Sequence, residues 1–119
     1  MLDVKDSIEK LSWSVNHHFL HIKAQHDFIR AVAVQFELAY TDFRTIQMAL
    51  QLAGEEQHSL LASFTKAYDD VYAYESVFAM RGLDEFNSEF PDKIEDYQQK
   101  VDKFNEELDK VRELQKNNL

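Results

Sequence analysis

The chain has 119 residues, two Gly, one Pro, no Cys and a formal net charge of −9. That length fits one domain, 1–119, and so little Gly and Pro leaves few turns for a sheet, while the 45% apolar share is enough for a core. The absence of cysteine excludes disulfides and thiol chemistry, and an acidic chain without a basic stripe lacks the footprint for nucleic acid or for an anionic membrane surface.

The stretch from Ile8 to Ala53 has neither Gly nor Pro, and a heptad register runs through it. Ile8, Val15, Ile22, Ile29, Phe36, Phe43 and Leu50 hold the a positions. Leu11, His18, Gln25, Val32, Ala39, Ile46 and Ala53 hold the d positions, so only His18 and Gln25 are polar in the seam. This pattern predicts one long first helix over about 6–53, roughly 69 Å long at about 1.5 Å per residue. Asp6 and Glu9 have capping-box spacing at its start. Asn16-His17-His18 is its weakest point, because Asn and His are poor helix formers. Gly54 should stop it in a left-handed conformation.

The second helix is predicted over about 55–81. Its seam is Leu60, Phe64, Ala67, Val71, Tyr74 and Phe78, flanked by Leu61, Tyr68 and Val77. Gly82 closes it. Leu83 to Phe90 reads as a linker, with Asn87 or Ser88 as a cap and Pro91 in the first turn of a third helix over about 91–116. The seam of that helix is Ile94, Tyr97, Val101, Phe104, Leu108 and Val111. Its outer charges at i,i+3 and i,i+4 spacing read as a solvated face.

The expected fold is all-α: an elongated antiparallel helical hairpin or three-helix bundle with a very long first helix and coiled-coil-like packing. If the third helix returns along the second, the first half of the long helix is left bare. Ile8, Leu11, Trp13, Val15, His18, Phe19 and Ile22 then become interface candidates, and a homodimer is the simplest way to bury them.

His17 and His21 are four apart on a helix and could share a metal ion, although two ligands do not complete a site. Glu55 and His58 have the Glu-x-x-His spacing of diiron bundles, but the motif occurs once and both positions face away from the seam, as does Glu37. No nucleophile–base pair, phosphate loop or paired-carboxylate pocket can be read, so neither an enzyme nor a cofactor is expected. The expected function is a non-catalytic helical protein–protein interaction module, such as an adaptor, chaperone or structural subunit. A metal-binding bundle using His17 and His21 is the rival reading. The N-terminus has no signal-like apolar region, which sets the expectation at a cytoplasmic protein, with leaderless secretion open.

Two stretches, Thr41-Asp42-Phe43-Arg44 through Gly54 to Tyr72 and Pro91 through Asn105, resemble helices of sorting-nexin BAR domains. That resemblance implies a dimeric helical module on curved membranes. The second helix is short for a BAR arm, and a basic concave face is lacking. The size, acidity and central turn also resemble the helical hairpins exported by type VII secretion systems. Leu52-Ala53-Gly54 stands where that family has Trp-x-Gly. Neither resemblance is adopted as a family.

Overall fold

A computed structural model describes residues 1–27 and 33–117, which form helices and turns with no strand among them. The helices are α1 (Lys5–Lys23), α2 (Ala33–Leu52), α3 (His58–Arg81), α4 (Leu83–Glu89) and α5 (Ile94–Asn117).

The single long first helix is not what forms. α1 ends at Lys23, and α2 packs back against it. The stop has a recognisable bond pattern. The Gln25 amide donates to Ile22 O and the His26 amide to His21 O, both at 3.0 Å, while Gln25 sits at φ 61. This is a Schellman stop with Gln in the left-handed position that Gly usually fills. The Gln25 side chain supports it by donating to Ile22 O at 3.2 Å and by a reciprocal amide pair with Asn87 of α4. At the predicted weak point, Asn16 to His18, α1 runs on unbroken. Seam positions Ile29 and Val32 lie outside the described residues.

The path of the chain follows from which residues meet. His18 stacks on Phe36, and Lys10 and Trp13 line one groove with Leu38 and Asp42, across α1 and α2. Phe36 is near Phe78, and Phe43 is near Phe64, across α2 and α3. Ser63 bonds Glu107, and Tyr74 stacks on Tyr97, across α3 and α5. Arg112 grips Glu9 through two nitrogens, and Asn16 and Asn105 exchange amide bonds at 3.0 Å, across α5 and α1. Within every pair, one number falls as the other rises. All four neighbours are therefore antiparallel, and the ring closes as an up-down-up-down four-helix bundle. Its extents are 43 × 26 × 17 Å, well short of the roughly 69 Å that the long helix would span.

The heptad register survives the break. Ile8, Leu11, Val15, His18, Ile22, Phe36, Ala39, Phe43, Ile46 and Leu50 are all buried, whereas Gln25, at the stop, is exposed and Ala53 is half-buried. Folding back lets the two halves of one seam cover each other, which a straight helix could not do. The seams of the second and third predicted helices are buried likewise, except that Leu60 and Ile94 are half-buried.

The expected linker is α4. Leu83 and Phe86 are buried, Phe90 packs behind them, and Asp84 and Glu85 stand in the first turn, where the helix dipole favours anions. α4 lies on the end of the bundle where Phe86 meets Tyr74, Phe78 and Tyr97. Gly82 (φ 89) makes the corner into it. Pro91 lies in the turn before α5, and Asn87 and Ser88 lie inside α4 and cap nothing. Gly54 has φ 115 and ψ 169, a region that only Gly enters readily, and an added Cβ would meet the Glu56 carboxylate at 2.7 Å. At the other end of the chain, Asp3 Oδ1 accepts from the Lys5 amide, so α1 opens before the Asp6 capping box. Gln115 takes the Val4 amide at 2.6 Å and ties down the N-terminus.

Phe43 stacks on Tyr68 at 4.1 Å and is buried, whereas Glu37 is exposed. Phe43→Ala should lose about 3–5 kcal/mol of stability in chemical denaturation. Glu37→Ala should lose less than about 0.5 kcal/mol. Equal losses would mean that α2 is rotated from this packing.

Candidate functional site

Three features of the bundle bear on function: a polar pair at its centre, a string of histidines on α1, and the outward face of α2.

At the centre, His18 of α1 faces Glu75 of α3 across the diagonal of the bundle, with Nδ1 3.4 Å from Oε1 and both side chains 0% exposed. The His18 ring lies flat on Phe36, with centroids 4.0 Å apart. His18 Nε2, Glu75 Oε2 and the hydroxyls of Tyr68 and Tyr97 are also buried, without a hydrogen-bond partner among the described residues. Burial drives the Glu75 carboxyl above the usual carboxylate range, and the hydrogen bond and charge of His18 offset only part of that. Burial, followed by the charge of Glu75, raises both phenols. These groups are closed off from solvent and form a polar layer inside the core.

Sequence reasoning placed His18 in the seam and missed Glu75. The available signal was the run Phe64, Tyr68, Val71, Glu75 and Phe78, spaced 4-3-4-3, in which Glu75 is the only charged member. A second buried carboxylate, Glu107, is fully engaged: Ser63 Oγ donates to it at 2.6 Å, Lys110 at 2.9 Å, and Lys103 lies at 3.1 Å. Burial pushes its carboxyl up, but these bonds outweigh that and hold it at about 2.

On the surface of α1, His17 Nε2 lies 3.0 Å from His21 Nε2, and His21 Nδ1 lies 3.0 Å from His26 Nδ1. Trp13 stacks on His17 at 4.3 Å. The predicted pair is therefore brought together and gains a third ring. His26, however, meets the opposite nitrogen of His21. The three rings form a string rather than a set of ligands around one point, and the described residues hold no group of three or more metal-ligating side chains. Glu37, Glu55 and His58 are exposed, on the outside of the bundle.

The interface candidates are placed differently from the expectation. Ile8, Leu11, Val15, His18, Phe19 and Ile22 are buried within this one chain, covered by α2 and α5, and only Trp13, at 56%, is exposed. The bare seam that motivated a dimer there does not exist. Of the exposed large apolar residues, Val34, Leu38, Tyr40, Met48 and Leu52 lie on α2, while Leu2, Trp13, Leu20, Tyr72 and Met80 are spread over the rest of the described chain. Val34, Leu38, Thr41, Thr45, Met48 and Leu52 are all exposed and follow one another at 4-3-4-3-4 spacing. At 100° per residue this is a single uncharged stripe opposite the buried face. α2 has three charged residues in 20, whereas α5 has twelve in 24. Trp13 and Leu38 share the groove between α1 and α2, rimmed by Glu9, Lys10, Gln35 and Asp42. None of the helices is long and apolar enough to cross a membrane among the described residues.

The chain matches no protein family model, no curated protein and no solved structure. The likenesses to BAR helices and to type VII hairpins rest on the quoted residues alone.

A pH prediction follows for Glu75. Its folded value is raised, so the folded chain holds that proton more tightly than the unfolded chain does. The stability this confers is present below the unfolded value of 4.5 and is lost as pH rises through the folded value. Glu75→Gln removes the ionisation, so its melting temperature relative to the parent should improve between about pH 5 and about pH 8. A difference that stays constant across that range would mean that Glu75 carries no raised carboxyl.

Proposed function

We propose that the protein is a non-catalytic helical interaction module whose docking surface is the outward face of α2, and that its readable partner is a second copy of the chain. The supporting observation is the uncharged stripe from Val34 to Leu52. An exposed apolar stripe with coiled-coil spacing on a water-facing helix has the form of a helix-docking surface. Its spacing reads the same in both directions. Across a two-fold axis, Val34 falls opposite Leu52 of the second copy, Leu38 opposite Met48, and Thr41 opposite Thr45. A self-complementary patch of that kind is what a two-fold interface needs. The same axis sets Asp42 beside its own copy and Arg44 beside its own. Lys10 near Asp42, and Glu37 one and a half to two turns from Arg44, temper that repulsion.

The stripe spans about 27 Å of one helix, which puts the interface at the small end of specific contacts and predicts a reversible dimer. An adaptor or structural-subunit role in the cytoplasm is part of this reading. Sedimentation equilibrium between about 1 and about 100 µM should give a monomer–dimer exchange. The double substitution Leu38→Glu and Met48→Glu should abolish the dimer. Both sites are exposed, so each change should move folding stability by less than about 0.5 kcal/mol. A parent that sediments as a monomer throughout that range would sink the self-association reading.

A further inference from the structure

The histidine string sits on the helix stop that reverses the chain. His21 and His26 are the two residues whose backbones make the outer bond of the Schellman stop, from the His26 amide to His21 O at 3.0 Å. In that motif the side chains at these two positions commonly touch through apolar groups. Here the contact is between imidazoles, Nδ1 to Nδ1, and it continues from His21 Nε2 to His17 Nε2.

The string can be analysed by counting protons. Each ring–ring contact needs one proton between its two nitrogens. Three neutral imidazoles carry one proton each, so two fill the contacts and one sits at an outer end, His17 Nδ1 or His26 Nε2. One added proton goes to the other outer end and leaves both contacts intact. Its charge lies at the C-terminus of α1, where the helix dipole favours a cation. The next proton must enter a contact that already holds one. It turns one N–H···N into two facing N–H groups and puts a second charge on the string. We propose that the string is a clasp on the helix stop that tolerates one added proton and opens with the second, loosening the α1–α2 turn as the solution is acidified.

Among the described residues, the charged groups around the string come from every helix packed near it. Lys23 follows on α1, with Asp92 and Glu95 of the α5 end in the same cleft. Asp27 lies against Gly82 at the start of α4. His18 carries Glu75 of α3 on its inner side. Glu9, Lys10 and, from α2, Asp42 surround Trp13. Burial, then the charges of His17, His26 and His18, hold His21 below its ordinary 6.5. A lowered folded value means that the unfolded chain takes this proton first. The stabilising effect is therefore present above 6.5 and is lost as pH falls below it, through the lower folded value. The clasp does not depend on the docking face of α2.

Trp13 is the only tryptophan and stacks on the first ring of the string, so it reports on the clasp without a label. The experiment is a titration from about pH 8 to about pH 5 that follows Trp13 emission, the ring nitrogens of the three histidines by proton–nitrogen correlation, and the His26 amide resonance. The parent, His21→Gln, His26→Gln and Glu75→Gln are compared, with folding of each checked by circular dichroism at the starting pH. In the parent, His21 should keep one protonated nitrogen until below pH 6.5. The His26 amide should shift toward its disordered position in the same step. Both histidine variants should lose that step, and Glu75→Gln should keep it. Three imidazoles titrating independently in the parent would overturn the clasp. So would a step that persists in His21→Gln, or one that vanishes only in Glu75→Gln, which would place the sensor in the central pair.

Discussion

The bundle depends on the chain stopping at Ala24 and turning back. A non-Gly residue in the left-handed region costs roughly 1–2 kcal/mol, and Gln25 holds that conformation. The opposing gain is large. With the turn made, the seam from Ile8 to Ile22 covers the seam from Phe36 to Leu50, and α5 closes over the first and α3 over the second. Each apolar side chain taken from water contributes about 1.5–3 kcal/mol before entropy is counted, so the turn is imposed by the burial it permits. The bonds from Gln25 to Ile22 O and to Asn87 fix where it falls. They also carry the stop across to α4, so one end of the bundle is a connected polar edge over the aromatic cluster around Phe86.

The legible and illegible parts of the fold separate along this line. The heptad register names most of the buried residues of α1 and α2, though not Gln25, which is exposed at the stop, and that depends only on helical period. It is silent on whether two halves of a seam face a partner or each other. The usual punctuation for a reversal is Gly at the stop, and here Gln25 takes that place, held by tertiary contacts with Asn87 that no local pattern reveals. α4 was hidden for a different reason. Leu83, Phe86 and Phe90 have helical spacing, but seven residues are too few for the period to stand out. Asn16, a poor helix former on propensity, is a clasp to Asn105, and propensity carries no information about that. The histidine pair at i,i+4 was legible. The third ring was not, because His26 joins it only through the stop.

The polar layer at the centre constrains the helices in a way apolar packing does not. Leucines on facing helices can slide by a turn and still touch. His18 and Glu75 cannot, because any displacement leaves two buried charges or dipoles further from each other. Their distance of 3.4 Å is long for a charged pair, and two of their atoms, with two tyrosine hydroxyls, find no protein partner among the described residues. Such a layer lowers stability and raises the penalty for alternative registers. It stands on the diagonal from α1 to α3, two helices that are not neighbours in the ring. The paired amides and ion pairs run around the ring between neighbours, while His18 and Glu75 run across it.

The outside of the bundle is divided as sharply as the inside. α5 turns a dense set of charges to water, and Glu107 beneath them is bound by Ser63, Lys103 and Lys110. α5 is therefore already committed, inward to α1 and α3 and outward to solvent. α2 contributes the same share of core and presents threonines, leucines, a valine and a methionine to water. A helix that needed only to complete the bundle would be more soluble with charges at Leu38, Met48 and Leu52. Scattered exposed apolar residues are ordinary, but six uncharged positions in register along one face are not scattered. The inner face of α2 is buried against α1 and α3, and the stripe from Val34 to Leu52 is the side that this packing leaves outward, the side proposed above for docking.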